Sequence, residues 1–221
     1  MEKILVVLPV EQRHIKKLAA AAPGRSCCYT YGEEPSLEQI LEAEIILGNV
    51  PAEHLAESAK LRWLQLSTAG ADAYIRPGAL PKGTILTNAT GAYGKAVSEH
   101  ALALTLMLQK KLHLYRDSQR QSQWSEHGTV VSMSDACVLV LGLGDIGLRY
   151  ARMVKALGAY VIGVKRRPGE CPEGVDELYG TEELERLLPR ADVILSVLPG
   201  SPGTRHLYTA RHFAQMKDTA I

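Results

Sequence analysis

Short apolar runs alternate with helix-patterned stretches through the first part of the chain. Ile4–Leu8, Glu44–Leu47 (running on into Gly48-Asn49), Trp63–Ser67 and Thr84–Thr87 read as strands, and the stretches near 11–21, 36–42 and 51–59 as helices. Ser36-x-x-Gln39 has the spacing of a capping box, in which each side chain satisfies the other residue's backbone N–H. Pro51 and Glu53 suit a first helical turn, where a missing N–H costs nothing and an acid meets the positive end of the helix dipole. Strand and helix in alternation favour a parallel sheet covered by helices.

Residues 95–122 carry the longest helical pattern. Val97, Ala101, Leu104, Leu108, Leu112 and Tyr115 recur at three- and four-residue steps and form one apolar stripe, while Lys110, Lys111, Arg116 and Asp117 fall on other faces. A helix of that length exceeds what a small sheet needs to cover itself. It suits a bridge between two domains or a subunit interface. Gly128 and the polar residues 132–135 then mark a turn before a second strand–helix series. Its strands are Cys137–Leu141, Tyr160–Val164 and Val193–Leu198, and its helices lie near 146–157, 181–188 and 206–214. Gly158 is placed to end the first of these helices. A further apolar run begins at "TAI".

Candidate chemistry begins in "VLVLGLGDIG". Gly142, Gly144 and Gly147 give G-x-G-x-x-G between a strand and a helix, which is the context that gives this motif meaning. Gly142 permits the tight turn, Gly144 lets the backbone approach a pyrophosphate, and Gly147 lets the helix pack close to its strand. The phosphates then meet the N–H groups of a helix N-terminus. An acid about 20 residues further on would hold the ribose hydroxyls of NAD. Lys165 stands eighteen residues after Gly147 instead, followed by Arg166 and Arg167. Guanidinium groups grip a phosphate bidentately, so the cofactor expected is NADP in preference to NAD.

Composition narrows the class. With 46% apolar and 22% charged residues, the chain reads as a globular protein, and a net charge of +1 gives no bulk attraction to nucleic acid or an anionic membrane. Cys27, Cys28, Cys137 and Cys171 form no C-x-x-C pair, so no metal site or disulfide framework is expected, and reduced thiols suit a cytoplasmic protein. The N-terminal apolar run Ile4–Val10 contains Pro9 and is followed by charged residues, so it reads as a strand and not a signal peptide. No run approaches the ~20 residues that span a bilayer.

In combination, "LGLGDIG", "VIGVKRRP", "LPRADVILSVLPGSPGTRHL" and "FAQMKDTAI" resemble the D-isomer-specific 2-hydroxyacid dehydrogenases. Upstream, "LQLSTAGADAY" is similar to that family's substrate-carboxylate loop, and "NATGAYGKAVSEHALAL" to its domain-crossing helix. The resemblance implies an α/β protein of two Rossmann-like domains. A flavodoxin-like substrate domain would span 1–97, and a doubly wound dinucleotide-binding domain 98–221. It implies Asp145 and Ile146 over the pyrophosphate, with Lys165, Arg166 and Arg167 near the adenosine ribose. Leu198, Pro199 and Ser201 would line the nicotinamide side. Gly200 stands where the family usually has leucine, and Ser201 where it has threonine. Ala69 and Gly70 would offer backbone N–H groups to a substrate carboxylate, with Gly48 and Asn49 walling the same cleft. The partners implied are a small 2-oxo or 2-hydroxy acid and a second copy of the chain in a homodimer.

The family's chemistry uses a His that moves the hydroxyl proton, a Glu that holds it, and an Arg that binds the carboxylate. By the resemblance all three fall beyond Ile221, so no catalytic residue is assigned in this chain. The expectation is a truncated dinucleotide domain, since a doubly wound one has about six strands and three plus the start of another are legible. Such a chain would be inactive alone. The alternative is a dinucleotide-binding regulatory or interaction protein that has lost the chemistry. His14, His54, His100, His113, His127, His206 and His212 read as core-edge or exposed residues. Glu99 and His100 are sequence neighbours, and consecutive helix residues do not face each other.

Overall fold

The computed structural model describes residues 3–221, which divide into two compact units, one ending at Gly91 and one running from Ala92 to Ile221. The boundary drawn from sequence, 97/98, falls six residues later, inside a helix.

In the first unit the chain runs β1 (Lys3–Val6), α1 (Gln12–Ala21), β2 (Ser26–Tyr29), α2 (Leu37–Glu42), β3 (Ile45–Leu47), β4 (Trp63–Gln65) and β5 (Ile85–Thr87). All five strands are parallel, in the order β2-β1-β3-β4-β5, which is the flavodoxin-like arrangement. Ile4, Leu5 and Val6 are all buried, as expected of a parallel strand covered on both faces. Leu5, Ile46 and Leu64 from three neighbouring strands pack with Ile40 of α2 and with Leu55. The capping box on α2 is present: Ser36 Oγ accepts from the Gln39 N–H at 3.2 Å, and Gln39 Oε1 accepts from the Ser36 N–H at 2.8 Å.

The stretch 51–59 forms only a single tight turn at Ala52–His54, so Pro51 and Glu53 start no full helix. Strand β2 was not foreseen, because "SCCY" is short, half-exposed and lacks an alternating pattern.

The second unit runs α3 (Gly94–Gln109), α4 (Leu112–Arg120), β6 (Cys137–Leu141), α5 (Asp145–Ala156), β7 (Tyr160–Val164), β8 (Glu177–Tyr179), α6 (Leu184–Leu187), β9 (Val193–Ser196) and α7 (Ala210–Gln215). Its sheet is parallel throughout in the order β8-β7-β6-β9, so the chain adds strands on one side of β6 and then crosses to the other. Beside β9, Ile221 donates its N–H to the Asp192 carbonyl at 3.0 Å and accepts from the Ile194 N–H at 2.8 Å. The run that begins at "TAI" therefore lies along this strand. Strand β8 is the element missed in this unit. Its edge is fastened by Glu177, which accepts from both Arg190 nitrogens (2.6 and 3.0 Å), from the Tyr160 hydroxyl at 2.6 Å and from the Tyr179 hydroxyl. Arg190 first, then the two phenols, hold that carboxyl down to about 2.

The long helical pattern also resolves differently. Lys111 adopts φ 55°, in the left-handed region, and splits 95–122 into α3 and α4. The Lys111 ammonium donates to the His127 carbonyl, and Lys110 donates to the Val131 carbonyl at 2.9 Å, so these lysines tie down the following loop. On α3 the buried face is Gly94, Ser98, Thr105 and Gln109, and it packs on α5. Val97, Leu104 and Leu108 stand exposed, as do Leu112 and Tyr115 on α4. Of the expected apolar stripe, Ala101 alone packs against the core of this unit. Beside Ala101, Leu102 and Leu106 packed on this core, the α3–α5 contact holds one polar pair: the Thr105 and Tyr150 hydroxyls lie 2.8 Å apart, and burial pushes the Tyr150 phenol up. No helix among the described residues is long and apolar enough to cross a membrane.

Candidate dinucleotide site and carboxylate loop

Ligands of open α/β sheets gather outside the carboxyl ends of strands where the strand order reverses. In the second unit that point lies between β6 and β9, and Gly142 follows β6 there. Gly142 has φ +95°, donates its N–H to the Val164 carbonyl at 2.9 Å, and passes so close to β9 that a Cβ would stand 2.9 Å from the Val197 oxygen. A side chain on Gly147 would overlap the Gly142 carbonyl oxygen, so its absence sets the distance between α5 and β6. Gly144 differs from both, because nothing lies within 4 Å of where its Cβ would be. Open space therefore lies in front of the residue that begins α5.

No side chain caps the N-terminus of α5. Its first turn, Asp145, Ile146 and Gly147, carries N–H groups that a helix leaves unbonded, together with the positive end of the helix dipole. A pyrophosphate fits this arrangement: open space where Gly144 lacks a side chain, and an uncapped helix end behind it. Gly163 in β7 contributes unseen by motif, since Leu143 of the loop packs where its Cβ would be, at 2.6 Å.

The basic cluster sits at the carboxyl end of β7. Lys165 is half-buried and its N–H donates to the Tyr179 carbonyl at 3.1 Å, while Arg166 and Arg167 are exposed. None of the three pairs with a carboxylate among the described residues. After β9, Leu198 packs on the sheet and Pro199 and Ser201 are exposed. Thr204, which sequence reading overlooked, organises this loop. Its hydroxyl donates to the Pro199 carbonyl at 2.6 Å, accepts from the Ser201 N–H at 3.0 Å and lies 3.0 Å from Ser201 Oγ. The legible signal was Ser201-x-x-Thr204, a turn-forming spacing.

In the first unit, Asn49 follows β3 and clamps the loop after β4. Its Oδ1 accepts from the Ser67 N–H (2.9 Å) and Oγ (3.0 Å), and its Nδ2 donates to Thr68 Oγ1 at 3.1 Å. Asn88 donates to the Ala69 carbonyl at 2.8 Å and Thr68 to the Gly70 carbonyl at 2.9 Å. Ala69 and Gly70 are exposed, with carbonyls tied back and N–H groups without a protein partner among the described residues. Gly48 is buried, at φ +120° with Val7 3.1 Å from its would-be Cβ, so it steers the chain and offers little surface.

Among the histidines, His212 lies 4.0 Å from Glu185, but its Nδ1 is engaged at 3.2 Å with the Thr209 N–H, closing the start of α7. No group of three or more His, Cys, Asp or Glu able to hold a metal occurs among the described residues.

Comparison with known proteins adds to this geometry. Residues 102–221 match the family model described as D-isomer specific 2-hydroxyacid dehydrogenase, NAD binding domain. A D-lactate dehydrogenase of Treponema pallidum is 31% identical over 73% of this chain and 48% of its own length. A D-isomer specific 2-hydroxyacid dehydrogenase family protein of Aeromonas salmonicida has a solved structure similar at TM-score 0.83 and 33% identity, covering 99% of this chain and 71% of that one. A Xanthobacter autotrophicus protein of the same description, solved with NADPH and MES, is similar in fold at TM-score 0.78 and 23% identity, over 99% of this chain and 70% of its own. The chain spans about half the length of the curated relatives it matches.

Proposed function

We propose a function for this chain from one premise: it belongs to the D-isomer specific 2-hydroxyacid dehydrogenase family. Residues 98–221 serve as the nicotinamide dinucleotide-binding domain, and residues 1–97 as a substrate domain for a small 2-oxo or 2-hydroxy acid. The observation that carries this reading is the uncapped start of α5 with open space at Gly144. A nicotinamide dinucleotide, when bound, supplies or accepts the hydride. The first turn of α5 binds its pyrophosphate, Gly142 and Gly147 hold that turn against the sheet, and Ile146 covers it. Leu198, Pro199 and Ser201 border the nicotinamide, with Thr204 keeping their loop in shape. Ala69 and Gly70 direct free N–H groups at the substrate carboxylate, and Asn49 holds their loop steady.

NADP is the cofactor this reading favours, because Lys165, Arg166 and Arg167 lack carboxylate partners and stand where an NAD-binding acid would. Titration with NADPH and NADH, followed by nicotinamide fluorescence, should show tighter NADPH binding. Replacing Lys165→Asp and Arg166→Ala together should invert the order. Equal affinities before mutation would sink the NADP preference.

Hydride transfer needs a proton donor, and among residues 3–221 no imidazole is set against a carboxylate with its second nitrogen free. The second reading is a dinucleotide-binding regulatory or interaction protein of the same fold. Mixing the 221-residue chain with NADPH and glyoxylate, hydroxypyruvate or pyruvate should give no nicotinamide oxidation. Turnover with any of them excludes the regulatory reading. A homodimer is favoured by the exposed row Val97, Leu104, Leu108, Leu112 and Tyr115, joined by a fully exposed Trp124. Sedimentation should give twice the chain mass, and Leu104→Glu with Leu108→Glu should halve it.

A further inference from the structure

The glycine loop contains an acid where an anion is to bind. Asp145 is the first residue of α5, yet its carboxylate turns toward α3, and a Cβ on Gly94 would overlap it. Gly94 opens α3, whose first turn has no acid and no side-chain cap and carries Lys95. Both glycine and a cation are poor choices for that position. Asp145 accounts for them: it needs the space of the missing Cβ, and it supplies the negative charge that α3 lacks. Its Oδ1 accepts from Arg149 Nε at 2.7 Å, while Oδ2 is buried without a hydrogen-bond partner. One carboxylate thus lies at the starts of two helices, α3 and α5, balanced by a single guanidinium.

We propose that Asp145 is an affinity-setting residue of the dinucleotide site, a fixed negative charge that weakens the hold of α5 on the pyrophosphate and hastens its release. The inference rests on the dinucleotide reading above. Removing the charge acts twice, since it lifts the repulsion between two anions on one helix turn and frees Arg149 to face the phosphates. A structural role alone predicts that any substitution loosens the site. The charge role predicts that Asp145→Asn tightens it.

The test is the NADPH affinity of the full chain and its variants at low and high salt. Asp145→Asn should bind about fivefold more tightly in low salt, the upper range for one charge at a helix end, with a slower off-rate in stopped flow. The gain should shrink at about 1 M salt, where screening acts within ~3 Å. Asp145→Ser should tighten binding too, and Arg149→Met, which leaves the acid uncompensated, should weaken it. If the unaltered chain binds NADPH and Asp145→Asn binds equally or more weakly at low salt, the inference is overturned while the dinucleotide reading stands. If neither protein binds NADPH, both fail.

Discussion

The loop after β6 and the loop after β4 both sit at the carboxyl edge of a parallel sheet, yet they are shaped by opposite means. Around Gly142 and Gly147 the backbone is placed by side chains that are missing, since a Cβ at either would press on a carbonyl oxygen. Around Ala69 and Gly70 it is placed by side chains that are present, with Asn49, Thr68 and Asn88 each donating a hydrogen bond to the loop. The first design tolerates no added atom at Gly142 or Gly147 and leaves open space at Gly144. The second is a polar network that can lose one member and still fold.

Substitutions can break that contrast in a ranked way. Gly147→Ala should have the largest effect, about 3 kcal/mol or more lost from the stability of the second unit, because the new methyl meets backbone that cannot yield. Thermal unfolding followed by circular dichroism would register it, and a melting point within a degree of the unaltered chain would refute the close-approach argument.

Next comes the Glu177 fastening of β8, where one carboxylate accepts from a guanidinium and two phenols. Glu177→Gln should cost about 2 kcal/mol, a discounted figure for a partly exposed carboxylate with charged donors. The same group makes the second unit acid-sensitive. Its carboxyl is held at about 2 in the folded protein, below the ordinary 4.5, so the stabilisation is complete above about pH 4.5. It is lost as pH falls toward 2. Acid titration read by hydrogen exchange should therefore release the β7–β8 amides before those of β1–β3, and Glu177→Gln should flatten that dependence.

Smaller again is Asn49→Ala, at about 1 kcal/mol or less for an exposed network. It should speed exchange of the Ser67 amide without unfolding the sheet. The smallest change in stability is expected from Gly144→Ala, whose methyl meets no protein atom. This variant should melt normally and bind NADPH about tenfold or more weakly, since the methyl takes space a ligand needs. Normal binding would remove the main support for the dinucleotide reading.

How much was legible follows the same contrast. The glycine spacing was readable because missing side chains leave a mark at fixed intervals, and the central strands because burial on both faces demands continuous apolar runs such as "VLVL" in β6. Strands β2 and β8 were not readable, since "SCCY" and "ELY" hold no pair of adjacent aliphatic residues, whereas the equally short edge strand β5 shows one in "ILT". The break between α3 and α4 was hidden in Lys110-Lys111, which look like a solvated face. Their ammonium groups are instead spent on carbonyls of the loop 127–131, a contact that no local pattern records.

By itself, the sequence determined the alternation of strands and helices, the position of the tight turn at Gly142 and the positive charge after β7. Each depends on a residue's own conformational range, polarity or charge. Only the tertiary structure decided which face of α3 is buried, what Asn49 holds, and that Gly94 makes room for Asp145. Those are meetings of residues far apart in the chain, from Asn49 and Ser67 to Gly94 and Asp145. Such pairs become neighbours only when the sheet orders are set, and their chemistry is a property of the contact rather than of either residue.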